Sequence, residues 1–129
     1  MQNLLVPISW GELIDKITIL QIKSENLISE EAILNVQREY SQLEAIYSQN
    51  LPKDVEFKQL EEDLLKINRQ LWDIEDKIRD KERHKIFDDG FTQLARDVYI
   101  TNDQRSRIKR QINDLFGSEL VEEKSYSNY

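Results

Sequence analysis

Apolar side chains recur along most of this chain at alternating intervals of three and four residues, the spacing of one helix face. In the first stretch these positions are Trp10, Leu13, Ile17 and Leu20. Ser9 and Glu12 form a capping-box pattern just before it, which predicts a helix from this cap to about residue 27. A second stripe, over residues 33–47, follows Ser29 as its cap and predicts a second helix that ends near Pro52.

The third apolar stripe is the most regular, because its positions follow the heptad spacing without a gap. They are Phe57, Leu60, Leu64, Ile67, Leu71, Ile74 and Ile78. The stripe predicts a helix over about residues 55–84, which would be about 45 Å long. A compact chain of this size has a radius of gyration of roughly 14 Å. We therefore predict an elongated antiparallel helical hairpin, and we take this stripe as the candidate seam of a homo-oligomer.

Beyond the Asp-Asp-Gly segment at 88–90, the pattern predicts two short C-terminal helices. The first would bury Phe91, Leu94, Ala95 and Val98. The second would be capped by Thr101, which forms a capping box with Gln104, and would run over about residues 102–116. Gly117 would end it, since glycine accepts a left-handed conformation. We expect residues 1–117 to form one helical domain and residues 118–129 a tail that can dock on it.

Composition agrees with an all-α fold, since the chain has only 3 Gly and 2 Pro and sheets need turn residues at regular intervals. The absence of cysteine excludes disulfides and thiolate metal sites. No apolar run approaches the roughly 20 residues of a membrane span, and the N-terminal segment lacks the basic region of a secretory signal. We therefore expect a cytoplasmic protein without a membrane partner.

Basic residues concentrate in the segment NDQRSRIKRQIN, at positions 102–113. Nucleic acid is not an expected partner, because residues 91–117 carry a local charge of only +2 in a chain of net charge -7, and phosphate neutralisation needs a basic surface. A small-anion site is a second hypothesis. Its candidate surface, which a protein partner could also use, comprises Arg79, Arg83, His84, Arg96, Tyr99, Asn102, Arg105 and Lys109. The favoured interpretation is that Arg105 and Lys109 pair internally with Asp80 or with the tail acids Glu122 and Glu123.

Three carboxylates, Asp73, Asp76 and Asp80, share one helix face and have the chemistry to hold Mg²⁺. Such a site needs carboxylates from a facing helix, whereas Glu61 and Glu62 lie on the same predicted helix. The single histidine, His84, has neither a second Glu-x-x-His pair for a di-iron site nor a nucleophile signature nearby. We therefore predict no catalytic residues, no metal site and no cofactor.

The segments ISWGELIDKITILQIK, LWDIEDKIRDKER, VYITNDQRSRIKRQIN and LVEEKSY together resemble a small bacterial and phage family known only as a domain of unknown function. The resemblance covers essentially the whole chain. It implies an all-helical protein of about this size with no assigned activity and no active site to carry over. Stretches similar to GELIDKITIL also occur in longer proteins beside glycosyltransferase-like or helical-repeat domains.

The sequence therefore favours a non-enzymatic helical interaction or scaffold module that acts as a homodimer and can also bind another protein. The alternative is a binder of, or an enzyme acting on, a phosphorylated or nucleotide-sugar ligand in a glycosyltransferase or surface-polysaccharide context. The two hypotheses differ in whether the cations of the candidate surface converge on an open pocket or pair with acids.

Overall fold

The computed structural model describes residues 2–53 and 55–129, and within them it has four helices and no strand. The helices are α1 (Trp10–Asn26), α2 (Glu30–Asn50), α3 (Lys58–Arg83) and α4 (Asp89–Phe116). The prediction of an all-α helical bundle is confirmed. Ser9 and Ser29 cap α1 and α2 as predicted, since their hydroxyls accept from the amides of Glu12 and Ala32.

Two predicted boundaries were wrong in the C-terminal half. The two short C-terminal helices are one continuous helix, α4, and Thr101 is a buried residue within it rather than a cap. Asp88 caps this helix, because its carboxylate accepts from the Phe91 amide at 2.9 Å. Packing against α3 carries the helix through the β-branched segment VYIT, and this tertiary contact outweighs local propensity.

Helix α1 is the central element, since it packs against α2, α3 and α4. Eight of its 17 residues are buried, whereas Val36 is the only buried residue of α2. Ile14, Phe57, Leu64 and Ile112 form a buried cluster within the core. Phe57 lies just before α3, which begins at Lys58 rather than near residue 55, and its ring packs 5.1 Å from that of Phe116.

The α3–α4 hairpin extends beyond α1. Glu25 in the last turn of α1 pairs with Arg69 at 2.8 Å, and α3 continues for 14 residues past that point, or about 21 Å. We call residues 72–99, which comprise the distal half of α3, the turn and the start of α4, the arm. The rest of the helical structure, centred on α1, is the base.

Both ends of the hairpin close with the same backbone motif. At the tip of the arm, Ile86 N–H donates to Lys81 C=O, and Lys85 takes a left-handed conformation with φ 55°. At the end of α4, Ser118 N–H donates to Asn113 C=O, and Gly117 has φ 63°. The prediction that Gly117 ends the last helix is confirmed.

The tail contacts α4 of the same chain. Glu122 and Glu123 pair with Lys109 and Arg110 at 3.1 and 3.2 Å. The Tyr129 ring packs edge-on against Tyr99 at 5.1 Å.

Candidate functional site

A network of polar side chains lies inside the base where α1, α3 and α4 meet. Its centre is Asp15 on α1, which is 1% exposed. Both carboxylate oxygens of Asp15 accept from Arg105 on α4, one from Nε at 2.9 Å and the other from Nη2. These hydrogen bonds raise the pKa of Arg105. The pair is bidentate and its carboxylate is buried, and bidentate arginine–carboxylate contacts are among the stronger hydrogen-bonded pairs.

Helix α3 contributes Asn68 to this network. Its amide nitrogen donates to Asp15 Oδ1 at 2.9 Å and to Thr18 Oγ1 at 2.8 Å. The Thr18 hydroxyl in turn donates to the Asp15 carbonyl at 2.7 Å. We call Asp15, Thr18, Asn68, Arg105 and Lys109 the polar node. Because three helices supply its members, it fixes how they are aligned.

Lys109 lies on the side of Asp15 that faces away from the tip of the hairpin. Its ammonium donates to Glu12 at 2.7 Å and to Glu122 at 3.1 Å, and it lies 3.8 Å from Asp15. Burial alone would lower the pKa of Lys109, but the hydrogen bond to Glu12 and the charge of Asp15 outweigh burial and raise it. Lys109 is therefore held as a cation by three carboxylates.

The N-terminus of α1 is sealed against the end of α4. Ser118 accepts from the Trp10 amide at 3.0 Å, and Asn113 accepts from the Gly11 amide at 2.7 Å. A Cβ on Gly11 would lie 2.6 Å from the Lys109 carbonyl oxygen, so only glycine allows this approach. With Ser9 bound to the Glu12 amide, the first three N–H groups of α1 have partners, as helix starts require.

Most cations of the candidate anion surface lie against carboxylates. Arg79 pairs with Glu75, and both Arg83 and His84 approach Asp80. Arg105 pairs with Asp15, and Lys109 with Glu12 and Glu122. Arg96 and Tyr99 are exposed on α4, and Asn102 accepts from Arg105 Nη1 at 3.2 Å. The tail partner predicted for Lys109 is therefore observed, whereas the partner of Arg105 is Asp15, which the sequence did not suggest.

Three of these candidate residues, Arg79, Asn102 and Arg105, lie together in one cleft. The cleft has a volume of about 540 Å³ and opens between α1, α3 and α4 beside the polar node. It is also lined by Asn68, Trp72, Glu75 and Asp76, with apolar contributions from Ile19, Leu71 and Val98. Arg83 and His84 lie farther along, at the end of α3.

The predicted seam divides between the base and the arm. Phe57 and Leu64 are buried in the core of a single chain, at 8% and 0% exposed. Leu71, Ile74 and Ile78 remain partly exposed toward the arm. Among the described residues, none between positions 69 and 100 is buried. The turn at the tip also exposes Ile86 and Phe87, at 44% and 59%.

The acidic residues of α3 do not assemble a metal site in the part of the chain that the structure describes. No group of three or more His, Asp or Glu residues there could hold an ion. Asp80 lies against Arg83 at 3.0 Å. Glu61 faces α2 instead, where it accepts from the Tyr47 hydroxyl at 3.1 Å, and burial together with the nearby charge of Glu44 raises its pKa.

The members of the node that were missed left a weak signal in the sequence. Gly11, Asp15, Thr18 and Ile22 are spaced by four, three and four residues. They form a second helical stripe beside the apolar one, and all four are buried. A polar residue on a second stripe indicates a helix that is covered on two sides, and a charged one predicts a buried partner.

Comparison with known families places the chain in one of them. The model of a family of unknown function (DUF6165) matches residues 4–129. The chain belongs to this family. The family resemblance noted in the sequence is thereby confirmed, and the polar node and the cleft both lie within the matched residues. No curated protein and no solved structure matches the chain. Among the described residues, no helix is both long enough and apolar enough to cross a membrane.

Proposed function

We propose that this protein is a non-enzymatic interaction module that pairs with a second copy of itself through the arm. The observation that supports this proposal is the contrast in burial along α3 and α4. The two helices bury side chains in the base, yet no described residue from 69 to 100 is buried. The arm is thus a hairpin of two helices whose apolar side chains are only half covered.

The arm of a second copy would cover the half-exposed apolar side chains of the first. Two antiparallel helix pairs that pack together form a four-helix bundle, the common solution for helices with one apolar face. A twofold axis between the arms would place the same patch of each chain against the other. At the tip, Phe87 packs edge-on against Phe91 at 5.2 Å while remaining 59% exposed, and this aromatic pair is the proposed centre of the interface.

The alternative function is binding of a phosphorylated or nucleotide-sugar ligand at the candidate surface. An anion there would have to compete with Glu75, Asp80 and Asp15 for the cations they already contact. A thermal-shift screen against phosphate, nucleotides and nucleotide sugars tests this alternative. A ligand at a hundred times its dissociation constant would add about 2.7 kcal/mol of stability.

The solution mass of the full chain tests the dimer. By sedimentation equilibrium at tens of micromolar we expect twice the 15.4 kDa of one chain. Phe87→Glu places a charge in the proposed interface and is expected to give the monomer mass with unchanged helical circular dichroism.

Ile28→Glu is the matched control, because Ile28 is 93% exposed in the α1–α2 loop, away from the tip of the arm. We expect it to remain dimeric. A wild-type chain with the monomer mass, or a Phe87→Glu variant that still dimerises, would refute the proposal. Monomers from both glutamate variants would place the interface elsewhere.

A further inference from the structure

The cleft beside the polar node has the features of a small-molecule site rather than of a helix packing defect. Its volume of about 540 Å³ lies within the roughly 300–1,000 Å³ of ligand pockets. Three helices form it where the arm leaves the base, so its walls do not depend on the loops. It is a separate feature from the tip of the arm on which the proposed dimer relies.

The floor of the cleft holds polar groups whose hydrogen bonding is only partly satisfied. Asn68 is 5% exposed and gives its amide hydrogens to Asp15 and Thr18. Its carbonyl oxygen accepts no hydrogen bond from any described residue, although the residue lines the cleft. Among the described residues no buried side-chain polar atom lacks a partner, so this oxygen is reached by solvent from the cleft and is open to a donor group of a ligand.

Donors stand beside this acceptor in fixed positions. Arg105 donates from Nε and Nη2 to Asp15 and from Nη1 to Asn102. Its guanidinium has further N–H groups that remain available to a ligand. Its side chain is 25% exposed. Asn102 accepts through its carbonyl oxygen, so its amide hydrogens remain for a ligand. The Asp15 contact immobilises the guanidinium before any ligand binds, which lowers the entropy lost on binding.

The wall of the cleft is aromatic and apolar. Trp72 presents a partly exposed indole, flanked by Leu71, Val98 and Ile19. Within the described residues its indole N–H has no acceptor either. An indole offers a large apolar surface with one polar edge, which suits a ligand that has both an apolar face and hydroxyl groups.

Charge decides which ligand class fits. The lining has two cations, Arg79 and Arg105, and two carboxylates, Glu75 and Asp76. Asp15 adds another negative charge directly behind Arg105. The lining charges cancel and a carboxylate lies beneath them, so a phosphate group finds no net attraction. Neutral hydroxyl groups, which donate and accept, match the mixture of guanidinium, amide and carboxylate groups.

We propose that this cleft binds an uncharged saccharide, with one face of a pyranose ring against Trp72. Hydroxyl groups of the ring accept from Arg105 and Asn102 and donate to Asn68 Oδ1 and to the Asp76 carboxylate. The proposal concerns recognition only, and it does not depend on the dimer.

The two tryptophans provide a built-in control for the test. Trp72 lines the cleft, whereas Trp10 stacks on Phe116 in the base at 4.6 Å. In ¹H–¹⁵N spectra of the wild-type chain, we expect titration with methyl glucopyranosides, methyl galactopyranosides or N-acetylglucosamine to shift the Trp72 indole signal at millimolar concentration. The Trp10 indole should not move. Inorganic phosphate and glucose 1-phosphate serve as the anionic comparison and should bind at least tenfold more weakly.

Two substitutions on α4 separate recognition from fold. Asn102→Ala removes a proposed donor and should weaken binding by about tenfold or more, whereas Gln104→Ala, at an exposed position outside the cleft, should leave it unchanged. The proposal fails if none of the neutral sugars moves the Trp72 indole. It also fails if phosphate binds as tightly as the sugars, or if Asn102→Ala binds as the wild type does.

Discussion

The base and the arm share helices α3 and α4 and differ in what covers these two helices. In the base, α1 lies against α3 and α4 and buries eight of its 17 residues. In the arm, α3 and α4 have only each other, and no described residue from 69 to 100 is buried. The ion pairs differ in the same way. Asp15 and Arg105 join elements 90 residues apart inside the base, whereas Arg79 pairs with Glu75 one turn away at the surface.

This contrast shows that packing against α1, more than local sequence, determines which part of α3 and α4 is most stable. A surface ion pair is worth about 0–1 kcal/mol, while removal of one partner from a buried pair leaves a charge without compensation. We therefore expect substitutions of the same type to have unequal effects in the two regions.

The largest effect is expected at Asp15. Asp15→Ala leaves the Arg105 guanidinium and the Asn68 amide without their shared acceptor, and should lower the free energy of unfolding by about 3–5 kcal/mol. Urea denaturation followed by circular dichroism measures this change. Asp73→Ala on the exposed surface of the arm is the control, with an expected change within about 0.5 kcal/mol. A loss at Asp15 no larger than that of the control would mean that the node is not structural.

A glycine-to-alanine exchange should have opposite signs in the two regions. At Gly11 the new methyl group would meet the Lys109 carbonyl oxygen at 2.6 Å, and overpacking of this kind costs about 1–3 kcal/mol. At Gly90 it would meet the Lys81 ammonium at 3.1 Å, the end of a flexible side chain that is paired with Asp88. A small shift of this side chain admits the methyl group, so the lower entropy of the unfolded state should stabilise the protein by about 0.4–1 kcal/mol. Thermal melts of the two variants check this, and a stabilised Gly11→Ala would disprove the close contact between α1 and α4.

The smallest expected effect depends on pH and involves one carboxylate in each region. Burial beside Glu44 raises the pKa of Glu61 above the ordinary 4.5. The Phe91 amide and Lys81 lower the pKa of Asp88 below the ordinary 3.8. The folded state therefore binds Glu61's proton more tightly than the unfolded state does, and stability falls as pH rises through that pKa. For Asp88 the stabilisation is present above 3.8 and is lost as pH falls through its lowered pKa.

Isosteric amides test these signs. Glu61→Gln should melt slightly above the wild type near neutral pH and should lose that advantage below pH 4.5. Asp88→Asn should melt slightly below the wild type near neutral pH, with the gap closing in acid. Melting curves recorded from neutral pH to below pH 4.5 test both expectations. If the melting-temperature advantage of Glu61→Gln grew in acid, the raised pKa of Glu61 would be contradicted.

Local signals predicted the limits of α1 and α2 because Ser9, Ser29 and Pro52 act on their own neighbours along the chain. They failed at Thr101, where a correct capping pattern lies within a helix that α3 supports. The partner of Arg105 was out of reach for a different reason. Asp15 is 90 residues away along the chain, and a heptad pattern marks only apolar positions, so it gives no sign of a carboxylate on a covered helix face.

The contacts that join the N-terminus of α1 to the end of α4 also impose an order on folding during synthesis. The Gly11 amide bonds to Asn113, and the Trp10 amide to Ser118, across 102 and 108 residues. On a ribosome α1 emerges long before its partners on α4 exist, whereas α3 is followed directly by the start of α4. The arm can therefore pair as it leaves the exit tunnel, while the base closes only after Asn113 and Ser118 have been made.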